Sequence, residues 1–271
     1  MAGDVDEKAL FERFSKKYKL IQNDLLQQIE RSNCGCDYGA TSFTTLKQAG
    51  ELNTMLALGL KQNLLEVGAG SGWPGLYLAK QSGCNITLTD LPIEGLQIAK
   101  GRGKSEQLSG ICTVAVASGS ALPFRTGVFD AISHSDVLCC LIDKLSVLKA
   151  CRGVIDANGK MIFTVILISP GLSKTDYERA KECGPSFMGS DDSYEKLIGT
   201  AGWKLVDRID LSSEFFETLR VMLGNELDHA EALDKLLGKE ETLHRLTRTR
   251  SYIEGLELGL IRRELFQVVP I

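Results

Sequence analysis

The order of apolar and polar positions divides the chain into stretches with different periods. Between residues 7 and 31, Leu10, Phe11, Phe14, Tyr18, Ile21, Leu25 and Ile29 recur at helical spacing with Lys and Glu between them, which predicts an amphipathic helix. After a break at Cys34-Gly35-Cys36-Asp37-Tyr38-Gly39, a second helical pattern runs from about Thr44 to Leu60. From Asn63 onward short apolar runs alternate with helical stretches, strand then helix, which predicts a parallel sheet with helices on both faces and a ligand site at the carboxyl ends of the strands. Strand six is predicted over Lys204 to Leu211, after a helix that starts near Tyr194 and stops at Gly202. Residues 214–257 return to helical spacing, with Phe215, Phe216, Leu219, Met222, Leu233 and Leu236 among the apolar positions, as two helices split around Leu237-Gly238-Lys239. The apolar ending Glu264-Leu265-Phe266-Gln267-Val268-Val269-Pro270-Ile271 supplies a seventh strand.

One junction in this pattern carries chemistry. The run Leu64-Leu65-Glu66-Val67 ends in Gly68-Ala69-Gly70-Ser71-Gly72, where alternate glycines let the backbone turn off a strand and lie against a ligand that a Cβ would push away. The next strand, Asn85-Ile86-Thr87-Leu88-Thr89-Asp90, ends in an acid placed to hold a ribose diol, with Leu91 beside it. A dinucleotide loop of the form Gly-x-Gly-x-x-Gly, counted from Gly68, requires glycine at 73, and the chain has Trp73 there. Hydride transfer from nicotinamide is therefore disfavoured.

The pattern Glu66-x-Gly68-x-Gly70-x-Gly72 resembles motif I of the class I S-adenosylmethionine (SAM) methyltransferases, and Asp90 matches the acid at the end of their second strand. Gly119-Ser120-Ala121-Leu122-Pro123-Phe124, Phe129-Asp130-Ala131-Ile132-Ser133-His134-Ser135-Asp136 and Asp156-Ala157-Asn158-Gly159-Lys160 resemble the later motifs in order and spacing, so the resemblance covers roughly residues 60–212. It implies an α/β, Rossmann-like class I methyltransferase fold: a seven-stranded, mostly parallel sheet with an N-terminal helical cap at 1–60, a SAM-binding core at 61–212, a helical lid insert at 213–262 and a final core strand at 263–271. It also implies SAM as cofactor, bound by Tyr38, Glu66, Gly68, Ala69, Gly70, Gly72, Asp90, Leu91, Ser120, Ala121, Ser133 and Ser135. Tyr38 resembles the segment that reaches over the SAM carboxylate, and Ser120 stands where many members carry Asp. Residues 129–141, 184–187 and 194–202 resemble loosely the sarcosine and dimethylglycine methylases and the quinone C-methylases.

Composition narrows the acceptor. A net charge of −4 and a pI near 5.6 disfavour nucleic acid, and no Pro-Pro or Pro-Cys pair marks a nucleobase methylase. No apolar run approaches a membrane span, and the start Met1-Ala2-Gly3-Asp4-Val5-Asp6-Glu7 is acidic where a signal peptide is basic, so the expectation is a cytoplasmic protein without nucleic-acid or membrane partners. Oligomeric state is left open. The eight cysteines are scattered and lack the Cys-x-x-Cys repeat of structural zinc, so reduced, buried thiols and no metal are expected. The resulting expectation is transfer of a methyl group to a small molecule, nitrogen first, with carbon or oxygen next. Arsenite methylation through the Cys34/Cys36 and Cys139/Cys140 pairs, or a degenerate SAM-fold scaffold, are the alternatives.

His134 is the candidate catalytic base among three histidines, with packing of its ring as the competing reading. Asp136 either assists or caps the following helix. A basic run, His244-Arg245-Leu246-Thr247-Arg248-Thr249-Arg250 with Arg262 and Arg263, reads either as a solvated helix face or as a contact for a carboxylate or phosphate on the acceptor.

Overall fold

The computed structural model describes residues 7–39 and 41–271; residues 1–6, with most of the acidic start, and the side chain of Leu10 lie outside the described residues. The first helical pattern is two helices, α1 (Glu7–Leu20) and α2 (Asp24–Cys34). Asn23 separates them: its side chain accepts the Leu25 N–H and so caps α2, a start signal embedded in what reads as one continuous amphipathic run. Helix α3 (Leu46–Leu56) opens with a capping box in which Thr45 accepts the Gln48 N–H while the Gln48 side chain accepts the Thr45 N–H.

Strand and helix then alternate: β1 (Asn63–Val67), α4 (Gly75–Ser82), β2 (Asn85–Asp90), α5 (Ile93–Ser105), β3 (Cys112–Val116), β4 (Phe129–Ser135), a 3-10 turn at Leu138–Cys140, α6 (Lys144–Val154), β5 (Ile155–Ile168), α7 (Lys174–Glu182), α8 (Tyr194–Thr200) and β6 (Trp203–Asp210). Three helices follow, α9 (Ser212–Asp228), α10 (Ala230–Leu237) and α11 (Lys239–Glu257), before β7 (Ile261–Pro270). Two helices were predicted there. The extra break falls at His229, whose backbone N–H and ring both turn back on the Asn225 carbonyl, without a glycine or proline to announce it.

The sheet order is β3-β2-β1-β4-β5-β7-β6, parallel except for β7, which runs antiparallel to both β5 and β6. The order reverses between β1 and its two neighbours, β2 and β4, which opens the crevice where an α/β sheet binds its ligand. Both faces of the central strands β1, β4 and β5 are buried, and successive residues serve opposite cores: Leu65, Ile132 and Phe163 pack with α6 and α8, while Leu64, Ala131 and Ile162 pack with α3 and α4. A third, smaller core joins Tyr18, Ile21, Leu26 and Ile29 of the cap to Leu233 of α10. Cap and insert thus form one roof over the carboxyl ends of the strands. Among the described residues no helix is long and apolar enough to cross a membrane.

Candidate active site

Strand β1 ends at Val67 and the chain turns through Gly68, with φ 66°, and Gly70, with φ 51°, both in the left-handed region. Space excludes a side chain there too: a Cβ on Gly68 would come within 2.5 Å of Val137 Cγ2, and one on Gly70 within 2.6 Å of the Tyr18 hydroxyl oxygen. Asp90 pins the turn from β2. The Gly70 N–H donates to its Oδ2 at 2.7 Å and the Leu91 N–H to its Oδ1 at 2.8 Å, while the Ala69 N–H donates to the Thr89 carbonyl at 2.9 Å. Burial pushes the Asp90 carboxyl up to about 6, against the pull of those two N–H donors and the Tyr18 hydroxyl. Trp73 donates its Nε1–H to the Thr44 carbonyl at 2.8 Å, and Ser71 its hydroxyl to the Gly39 carbonyl at 3.0 Å, so the loop is tied to the cap.

Two cavities share a wall at the carboxyl ends of the strands. One, of about 140 Å³, is lined by Gly68, Asp90 and Leu91 at its floor and by Phe14 and Tyr18 of α1 above. The other, of about 130 Å³, lies toward Ile166, Pro185 and Tyr252. Phe14, Thr41, Ser135, Asp136 and Cys140 line both. Gly68, Asp90, Leu91 and Ser135 therefore line one cavity. Gly72 belongs to the turn but packs inward on Leu76 and Ala99, and Ala69 is buried in the core around Leu76. Ser120 and Ala121 are exposed on the loop after β3, where the Ser120 hydroxyl pairs with that of Ser118 at 2.9 Å.

Four residues depart from expectation. Glu66 and Ser133 face each other across the β1–β4 register, and the Ser133 hydroxyl donates to the Glu66 carboxylate under the loop, on the side where Glu66 meets α4. Burial raises that carboxyl to about 7. Tyr38 does not reach over the loop: its hydroxyl donates to Glu106 at 2.5 Å, its ring packs on Trp73 at 5.1 Å, and the Arg102 guanidinium covers it at 4.4 Å. Tyr18 instead lies over the turn, with its hydroxyl against Gly70.

The correction at His134 is the largest. Its ring is buried, stacked on Phe163 at 4.7 Å, and lines neither cavity; neither ring nitrogen has a hydrogen-bond partner among the described residues. Burial holds its pKa down at about 3, so the imidazole is neutral. Strand alternation is the cause: Ser135, one residue on, is in register with Thr164 and lines both cavities, whereas His134 faces the packed side.

Tyr18, Phe14 and Thr41 were missed as site residues, and Arg263, read with the basic run as a solvated face or an acceptor contact, is buried and lines neither cavity. Arg263 holds Asp136 through two hydrogen bonds, at 3.0 and 2.9 Å, and also donates to Gln48, Thr44 and Thr164. Asp136 is thus an ion-pair partner, and it is Asp143 that caps α6 by accepting the Ser146 N–H. The eight cysteines are free. Cys34 and Cys36 pack in a different core from Cys139, and among the described residues no three His, Cys, Asp or Glu side chains gather to hold a metal, so the convergence that arsenite methylation requires is not formed.

Residues 65–163 match the model of the methyltransferase domain. The glycine turn, Asp90 and the strand order around them all lie within or beside that match. Residues 65–163 therefore carry a methyltransferase domain, and the fold around it is similar to that of SAM-dependent methyltransferases. The chain is 25% identical over 227 residues to the glycine/sarcosine/dimethylglycine N-methyltransferase of Actinopolyspora halophila, covering 80% of this chain and 38% of that one. It is also 25% identical to the 27-O-demethylrifamycin SV methyltransferase of Amycolatopsis mediterranei, covering 88% of this chain and 91% of that one. The phosphoethanolamine N-methyltransferase 2 of Haemonchus contortus, solved with phosphomonomethylethanolamine and S-adenosylhomocysteine, superposes with a TM-score of 0.80 over 98% of this chain and 60% of that one, at 16% identity. The chain spans well under two thirds of some of these relatives and nearly all of others.

Proposed function

We propose that the chain transfers a methyl group from SAM to a small-molecule acceptor, nitrogen first and carbon or oxygen next. One observation carries the reading: the Asp90 carboxylate is fixed by the N–H groups of Gly70 and Leu91 at the carboxyl ends of β1 and β2, directly under a roofed cavity. In this reading Asp90 holds the ribose, the backbone at Gly68 and Gly70 lies against the amino-acid end, and the exposed Leu91 with Ser120 and Ala121 flanks the adenine. The cofactor supplies a methyl group already activated on a sulfonium.

What remains for the protein is aim. Holding the acceptor in line with the methyl removes about 7–11 kcal/mol of barrier, more than the roughly 10²–10⁴-fold that one acid–base group contributes. The site's make-up agrees, since its cavity is walled by Phe14, Tyr18, Phe43 and Tyr252 and His134 stands outside it. The cavity on the glycine-loop side, about 140 Å³, is small beside the ~300 Å³ lower end for ligand pockets. Helix α1, which puts Tyr18 on Gly70, swings out to admit SAM and closes afterwards, excluding water.

Calorimetry with SAM and S-adenosylhomocysteine, followed by detection of S-adenosylhomocysteine formed against a panel of amines, phenols and carboxylic acids, tests the proposal. Micromolar binding and turnover with one class are expected. A protein that binds neither compound is a scaffold, and the reading fails.

A further inference from the structure

On the acceptor side of the roof, positive charge gathers in excess of acid, with Glu226, paired to Arg245, the acid that also acts on Arg248. Arg13 and Lys17, one turn apart on α1, and Arg248 on α11 line one cavity beside Ser135 and Cys140. The acid among its described lining residues is Asp136, and Arg263 already engages both of its oxygens. Arg245, next to this group, is held by Glu226 at 2.7 Å. Arg13, Lys17 and Arg248 have no salt bridge among the described residues. The crowding is felt: burial, then Arg248, Arg245 and Arg13, hold the Lys17 ammonium well below its ordinary pKa, with Cys140 opposing, and burial also lowers Arg248. Gathering like charges in a partly desolvated cavity is unfavourable unless an anion completes it.

We infer that this cavity seats an anionic group of the methyl acceptor, a carboxylate or a phosphate ester, held by Lys17 and Arg248 with Arg13 at the mouth. The inference rests on the methyl-transfer reading and narrows its substrate. The cationic cavity and the one over Asp90 share Phe14, Thr41, Ser135, Asp136 and Cys140, so an acceptor anchored by its anion has its other end at the cofactor. Because the cations come from α1 and α11, the anion also draws the two halves of the roof together. The basic run at 244–250 is split accordingly, with Arg245 paired, Arg248 facing the cavity and Arg250 exposed.

The test is calorimetric titration of inorganic phosphate, and separately of acetate, into the protein loaded with S-adenosylhomocysteine at constant ionic strength. Saturable binding of at least one anion is expected, weakened tenfold or more in Arg248→Gln and again in Lys17→Gln, with Arg248→Lys retaining most of the affinity because it retains the charge. Phosphate bound without acetate assigns a phosphate ester; acetate bound as well, or alone, assigns a carboxylate. Equal affinity in the wild type and in an Arg248→Gln variant that melts like it overturns the inference, as does no saturable binding of either anion. Either failure in a protein that still binds S-adenosylhomocysteine leaves methyl transfer standing. A wild type that does not bind S-adenosylhomocysteine refutes methyl transfer instead, and titration of the cofactor-free protein then decides the anion site separately.

Discussion

Replacing His134 with Phe removes two buried ring nitrogens that have no hydrogen-bond partner while keeping a flat ring against Phe163. Each buried, unsatisfied polar atom costs about 1–3 kcal/mol, so even with some overpacking by the larger ring the variant gains on the order of 1–3 kcal/mol near neutral pH. A second effect depends on pH. The folded-state pKa is depressed from 6.5 to about 3, so between those values the unfolded chain binds a proton that the folded chain does not. Stability contributed by the neutral ring is thus full above pH 6.5 and is lost as pH falls toward 3, by an amount approaching ~5 kcal/mol. His134→Phe has no such proton to bind, so its advantage over the wild type widens steadily on acidification from pH 6.5. Urea denaturation at pH 7, 6, 5 and 4 measures the widening, and S-adenosylhomocysteine affinity and turnover measured in parallel change less than about threefold. A general base would lose roughly 10²–10⁴-fold in turnover. Such a loss, or a stability difference independent of pH, refutes the reasoning.

Asp90→Asn keeps the side-chain size but removes the charge that the Gly70 and Leu91 N–H groups serve; binding of S-adenosylhomocysteine weakens by about 10–100-fold in calorimetry, from one or two charge-assisted hydrogen bonds. In the wild type that affinity rises as pH climbs through about 6, where Asp90 ionises to accept the ribose hydroxyls, and a flat profile from pH 5 to 8 contradicts the assignment. Glu66→Gln acts on stability: a carboxyl raised from 4.5 to about 7 contributes most below pH 4.5 and loses that contribution as pH rises to 7, about 3 kcal/mol, so the variant is the more stable protein above pH 7 in thermal melts. Arg263→Met leaves Asp136 buried and unpaired and costs about 3–5 kcal/mol in urea titrations, of which Asp136→Asn in the same chain recovers part.

What could be read from the sequence is what the backbone demands locally. The turn at Gly68 and Gly70 requires positive φ, and the acid ending β2 follows at a fixed distance along the chain, so the glycine turn and the alternation of strand and helix were legible. Facing was not. Glu66 and Ser133 sit in motif positions, yet the β1–β4 register turns both to the α4 side, and that register is set by long-range pairing. His134 differs from Ser135 by one position in a strand, enough to exchange core for cavity. Tyr18 reads as one more apolar residue of an amphipathic helix, and nothing local to α1 says that its face lands on Gly70. Asn23 did carry a start signal for α2, which the continuous apolar spacing around it concealed.

Arg263 shows why the roof and the site behave as one object. It stands on β7 and reaches Asp136 after β4, Thr164 on β5, and Thr44 and Gln48 at the start of α3. A guanidinium with five donors satisfies all four partners at once, where an ammonium with three cannot. Thr44 in turn accepts the Trp73 indole N–H, so the chain of contacts runs from the C-terminal strand through the cap to the glycine loop. The residue at 73 that disfavours a dinucleotide loop is therefore one of two, with Ser71, that tie the glycine turn to the cap. Loosening Arg263 reaches the glycine loop through Thr44 and Trp73, and it reaches the cationic cavity through Asp136, whose carboxylate, once freed, competes with the acceptor's anion for Lys17 and Arg248. Arg263→Met is accordingly expected to weaken phosphate or acetate binding more than it weakens S-adenosylhomocysteine binding, an ordering that a merely global loss of stability does not produce.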